Sequence, residues 1–138
     1  KNYKKYLSGH FRILIIKPGE HVHHHLDVNV QGQYSLIPKG KQITAVLNFP
    51  IYGTGDCDTI WEEPNCEIND PRIFYTNPEK AKSIKWKFLD KITVKELPVL
   101  LNTAVWHKVQ PPQKERALIS FVCNTEYNWE TLHNVFNN

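Results

Sequence analysis

Apolar and β-branched residues fall in short runs along this chain, and each run is stopped by Pro, Gly, Asn or Asp. Residues 11–17 (Phe-Arg-Ile-Leu-Ile-Ile-Lys) read as a strand that ends at Pro18-Gly19, residues 42–49 as one that ends at Pro50, and residues 59–63 as one that ends at Pro64. Further strands are predicted over 72–76, 84–88, 91–96, 99–103, 105–110 and 116–123. The clearest helical pattern is at the end, where Asn128 can cap a segment with Trp129, Leu132, Val135 and Phe136 on one face. Short strands at this spacing predict an all-β sandwich or barrel closed by a short C-terminal helix. The Pro- and Asn-rich stretch 53–71 reads as a loop over one mouth of the barrel.

Length and charge narrow the picture. At 138 residues the chain can bury roughly 68% of its unfolded surface, enough for one core and too little for two, so residues 1–138 are expected to form one domain. The formal charge of +3 comes from scattered lysines, densest at Lys1, Lys4 and Lys5 and at Lys80, Lys82, Lys85 and Lys87. A solvated surface accounts for this better than a nucleic-acid groove does. Cys57, Cys66 and Cys123 are odd in number and lack Cys-x-x-Cys spacing, which predicts free thiols in a reducing, cytoplasmic setting; Cys57 and Cys66 could close a loop in a secreted protein. The early apolar run, residues 13–16, is too short for a signal peptide or a membrane span.

The candidate chemistry lies in a histidine run and two distant residues. His21, His23, His24 and His25 precede Asp27, and on an extended strand His23, His25 and Asp27 share one face while Val22, His24 and Leu26 share the other. Side chains two apart on a strand can converge on one ion. His25, Asp27 and the distant His107 would give two imidazoles and one carboxylate, the facial set that leaves open positions on ferrous iron. An exposed turn that binds metal adventitiously is the competing reading, and the register leaves His23 and His24 open as the first ligand. Arg116 suits a carboxylate-bearing co-substrate, because a guanidinium offers a planar fork and keeps its charge when buried.

The segment Val99-Leu100-Leu101-Asn102-Thr103-Ala104-Val105-Trp106-His107-Lys108-Val109, followed by Arg116-Ala117-Leu118-Ile119-Ser120-Phe121, resembles the C-terminal signature of Fe(II)/2-oxoglutarate-dependent oxygenases. Among these it is most similar to aspartyl/asparaginyl hydroxylase-like and small prolyl hydroxylase-like members. The stretch Ala45-Val46-Leu47-Asn48-Phe49-Pro50-Ile51 resembles a strand common in the same small enzymes, so the matching pieces span residues 13–121. The resemblance implies a double-stranded β-helix, a jelly-roll (cupin-like) barrel with the metal inside one end. It implies Fe(II) on His25, Asp27 and His107, with 2-oxoglutarate as small-molecule co-substrate and its distal carboxylate on Arg116. Ser120, on the same strand face as Arg116, is a candidate to help hold that carboxylate. The substrate would be a peptide side chain or a small metabolite, with no nucleic acid or membrane partner.

Several positions depart from the family pattern. Leu118 stands where some members have Ser, and Gln110, followed by Pro111-Pro112, stands where many have Asn. The presence of Asp27 favours hydroxylation over halogenation. A cupin-type metal enzyme without 2-oxoglutarate is one rival, although Asn29 and Val30 occupy the positions where its Glu would fall; a non-catalytic jelly-roll binding module is another. Tyr34 and Asn48 could face the cavity, Trp106 is read as packing, and Glu62 and Glu63 must face opposite ways.

Overall fold

The computed structural model describes residues 3–29, 32, 34 and 37–137; Lys1 and Val30 lie outside them. After a 3-10 turn at Lys4–Tyr6, eight strands follow: β1 (Leu7–Ile16), β2 (Val22–His25), β3 (Ala45–Tyr52), β4 (Asp58–Pro64), β5 (Trp86–Thr93), β6 (Val99–Asn102), β7 (His107–Val109) and β8 (Arg116–Cys123). Helices α1 (Ile73–Thr76) and α2 (Pro78–Ser83) lie between β4 and β5, and α3 (Trp129–Asn137) ends the chain. The strands form two antiparallel four-stranded sheets, ordered β1-β8-β3-β6 and β2-β7-β4-β5. The expected barrel is therefore open, because β5 and β6 are sheet edges and do not pair with each other.

The sheets pack apolar faces together. Tyr34, Ile37, Ile43, Val46, Leu101 and Val122 form the inter-sheet core, with Trp61, Ile92 and Val99 against it. On the outer face of the first sheet, α3 buries Leu132 against Ala45 and Cys123, flanked by Leu7, Leu100 and Phe136. Asn128 caps it as the pattern predicted, its Oδ1 accepting from Thr131 N–H at 2.9 Å. Beyond α3 the same face leaves Phe11, Ile13, Ile15 and Ile51 exposed. Among the described residues no helix is long and apolar enough to cross a membrane.

Five local predictions need correction. Residues 72–76, read as a strand from their β-branched and aromatic content, are largely α1: Asp70 accepts from Arg72 N–H and from the Thr76 hydroxyl, and this local capping overrides propensity. Strand β3 does not stop at Pro50 but runs on to Tyr52, with a break in its pairing with β8 just after Pro50, the kind of irregularity at which Pro is tolerated in a strand. The separate strands at 84–88 and 91–96 are one continuous β5, and the stretch 53–71 is not all loop, since it contains β4. β2 has an irregularity between Val22 and His25 in its pairing with β7. It breaks the simple alternation: Val22 and His25 both line the inter-sheet cavity, while His23 is exposed.

Leu132, wholly buried, is the anchor of α3. Leu132→Ala is expected to cost about 2–5 kcal/mol of folding stability, read from the midpoint shift in chemical denaturation.

Candidate metal and anion site

His25 and His107 face each other across the β2–β7 ladder, their rings 4.3 Å apart between centroids. Each ring is fixed in the same way. His25 Nδ1 meets the His23 carbonyl at 2.7 Å and His107 Nδ1 meets the Val105 carbonyl at 2.9 Å. A carbonyl only accepts, so each Nδ1 carries a proton, and in a neutral ring Nε2 is then the nitrogen that presents a lone pair. Asp27 lies just past the end of β2 rather than on it, and its Oδ1 stands 3.7 Å from His25 Nε2. One donor atom from each of His25, Asp27 and His107 falls within 4.8 Å of the others, a spacing that one ion can bridge.

Asp27 is held on every side. Its N–H donates to the Thr103 carbonyl at 3.2 Å, its own carbonyl accepts from Ile43 N–H at 2.8 Å, and Arg12 Nη2 donates to its Oδ2 at 2.8 Å. Arg12 Nη1 also donates to the buried Tyr34 hydroxyl at 3.2 Å. With Oδ2 occupied by Arg12, Oδ1 is the oxygen turned toward the histidines, the arrangement by which an outer partner orients a metal ligand.

The remaining histidines take other roles. His24 turns to the opposite face, bonds Glu62 and stacks on Trp86 at 3.7 Å with 3° between planes; Trp86 meets Trp106 edge-on. Burial works against the Glu62 carboxylate, but Lys108, at 2.7 Å, and His24 together hold it below its usual range. Glu63 points away to Lys87. His21 and His23 stay exposed.

The His25, Asp27 and His107 group opens into a cavity of about 250 Å³ between the sheets, also lined by Arg12, Leu14, Asn48, Val109, Arg116, Leu118 and Ser120. Arg116 is 2% exposed. Its Nη1 donates to Cys57 Sγ at 2.7 Å and its Nε has no partner. Burial pushes the Cys57 thiol up despite the adjacent guanidinium, so the sulfur stays neutral and does not compensate the charge. Among the described residues no carboxylate lies within ion-pair distance of Arg116. Gly53, at φ +64°, lets the chain pass here, because a Cβ would meet the Glu115 carbonyl oxygen at 2.0 Å.

β7 and β8 belong to different sheets, so His107 and Arg116, consecutive in strand order, line the cavity from opposite walls. The sequence reading missed Arg12 and Cys57. Arg12 left a signal: it is the one charged residue inside the apolar run 11–16, and alternation puts it on the inward face with Leu14 and Ile16. Cys57 left none beyond its residue type. Cys57, Cys66 and Cys123 are free thiols. The chain matches no protein-family model, no curated protein and no solved structure closely enough to place it in a family.

Burial, and then the neighbouring His25, lower the His107 pKa from 6.5 to about 4, which keeps its ring neutral and able to ligate at neutral pH. Burial lowers His24 as well. Both groups take up protons more readily in the unfolded chain, so the unfolded state gains as pH falls. The metal-free protein is expected to hold full stability above about pH 6.5 and to lose it progressively toward pH 4, seen as a falling melting temperature in the presence of a chelator. A flat melting temperature over that range would contradict a buried neutral His107.

Proposed function

We propose that this chain is an Fe(II)- and 2-oxoglutarate-dependent oxygenase that hydroxylates a peptide side chain or a small metabolite. The observation that carries the reading is Arg116: a fully buried guanidinium, without an anionic partner among the described residues, shares one cavity with two imidazoles and a carboxylate. A buried charge left uncompensated is costly, so the cavity is arranged for an anion that arrives with the ligand. The charge balance agrees. Arg12, Arg116 and Asp27 leave the cavity with one excess positive charge, a divalent ion raises it to three, and a dicarboxylate returns it to one. At about 250 Å³ the space lies just under the usual range for ligand pockets, roughly 300–1,000 Å³, and suits a compact co-substrate.

The strand pairing supports a jelly-roll reading of the two sheets. β1 pairs with β8, β2 with β7, β3 with β6 and β4 with β5, as when one long four-pair hairpin is rolled on itself. Against a cupin with Glu in its ligand set, Asn29 is wholly buried and spends its amide on the Tyr34 and Ile37 carbonyls and on Tyr34 N–H. The free thiols suit a reducing compartment such as the cytoplasm.

In this reading His25 and His107 present Nε2 atoms whose ring orientation is fixed by backbone carbonyls, and Asp27 supplies the anionic ligand with its orientation set by Arg12. Leu14, Leu118 and Val109 exclude water from the space between the metal set and Arg116, and Arg116 receives the distal carboxylate. Iron(II), when bound, supplies the redox chemistry that couples decarboxylation of the 2-oxo acid to insertion of oxygen into a C–H bond. Substrate reaches the site beside His25, whose side chain is 32% exposed, along a groove edged by Pro71, Arg72 and Tyr75.

Fe(II)-loaded protein should convert 2-oxoglutarate to succinate slowly even without substrate, and Asp27→Ala should abolish this. Arg116→Lys keeps a charge but loses one arm of the fork, so 2-oxoglutarate affinity should fall by roughly 5- to 150-fold, on the order of 1–3 kcal/mol, with metal affinity almost intact. Wild-type co-substrate affinity by calorimetry in both Arg116→Lys and Arg116→Ala would sink the assignment.

A further inference from the structure

We infer that Arg12, Ser120 and Asn48 form a second carboxylate receptor at the metal end of the cavity, for the carboxylate next to the keto group of a 2-oxo acid; this rests on the oxygenase reading above. The three residues stand in one row. Arg12 is paired opposite Ser120 in the β1–β8 ladder, and Ser120 opposite Asn48 in the β8–β3 ladder, so their side chains are cross-strand neighbours on the cavity face. Ser120 is 0% and Asn48 5% exposed. Ser120 Oγ, Asn48 Oδ1 and Arg12 Nε are all buried without a hydrogen-bond partner. Three adjacent, buried, unpaired polar atoms in a cavity wall describe a site awaiting a ligand.

Their chemistry selects the ligand. Arg12 Nε–H and the Ser120 hydroxyl donate, and the Asn48 amide presents either its N–H or its oxygen after a half-turn. Donors around a guanidinium favour a planar anion. Arg12 also grips Asp27 Oδ2, which puts the row beside the metal ligands. A metal on Asp27 would draw on the carboxylate charge that Arg12 now balances, leaving the guanidinium able to attract a second anion. Arg116 serves a different point. It lies four residues from Ser120 on the same strand face, roughly 13 Å away along β8, with Leu118 between them. The row and Arg116 thus divide the two ends of one dicarboxylate, and Ser120 belongs with Arg12 rather than with Arg116.

Two probes of equal carbon length separate these roles. 2-Oxoglutarate carries both carboxylates, whereas 2-oxovalerate keeps the 2-oxo acid end and has a methyl at the other. Calorimetry on anaerobic Fe(II)-loaded protein should show Ser120→Ala and Asn48→Leu weakening both probes by a similar factor, roughly tenfold each, while Arg116→Ala weakens 2-oxoglutarate alone. Without ligand, Ser120→Ala should melt no lower than wild type, because the hydroxyl it removes has no partner to lose. Unchanged affinity for 2-oxovalerate in both row variants would overturn the inference and leave the row to ordered water. Loss of 2-oxoglutarate binding alone would instead assign the row to the distal end. If the wild-type loaded protein binds neither probe, the oxygenase reading itself falls, and the receptor with it.

Discussion

Four strands and two sheets meet at the carboxylate of Asp27. The chain leaves the second sheet at His25 and enters the first at Ala45, and Asp27 lies on that crossing. Its backbone is tied to Thr103, just past β6, and to Ile43, just before β3, while its side chain bonds Arg12 on β1 and stands next to His25 on β2. A carboxylate only 7% exposed needs positive charge nearby, and Arg12 provides it without help from solvent. The same pair sets the direction of Oδ1, so the bond that makes the crossing tolerable also gives the metal set its geometry. Removing Arg12 would loosen the join between the sheets and the aim of the ligand together.

The chemistry was more legible than the register. His25, Asp27, His107 and Arg116 could be picked out because each is a residue type that a buried cavity rarely carries without a reason, and their order along the chain fits one site. Placing them was harder. Plain alternation put His23 on the cavity face, and the irregularity in β2 exposed it; no residue type marks a bulge that depends on how two strands pair. Residues 72–76 look like a strand until Asp70 is seen to cap them, and Pro50 looks like a strand end until the break in pairing is known. Arg12 shows the converse: its isolation in an apolar run pointed inward, but only the fold reveals that Asp27 is its partner.

The open ends of the sheets and the cavity follow from one distribution of side chains. Aliphatic residues fill the space between Val46, Leu101 and Val122, and further along β3 and β8, and on the neighbouring β1, the inward positions include Asn48, Ser120, Arg116 and Arg12, with Leu14 and Leu118 among them. Polar and apolar positions alternate along this stretch. Apolar packing here would bury the unpaired atoms Arg12 Nε, Asn48 Oδ1, Ser120 Oγ and Arg116 Nε permanently, and the sheets enclose space there instead. Such a region lowers the stability of the empty protein and is a common feature of sites built to be filled.

The two arginines differ in a way that gives the cavity a polarity. Arg12 is matched by Asp27 and keeps a share of that charge in the empty protein, whereas Arg116 meets only a neutral thiol. Of the two guanidiniums, Arg116 is therefore the one without a carboxylate partner among the described residues. An incoming dianion is drawn first to the uncompensated guanidinium, and its other end is left facing Asp27, where a carboxylate would be repelled unless a cation has already bound. Metal loading reverses that repulsion. On the oxygenase reading proposed above, the electrostatics set an order: a bound ion would make the chelating end hospitable, and affinity for a 2-oxo acid should be high only after the ion is in place.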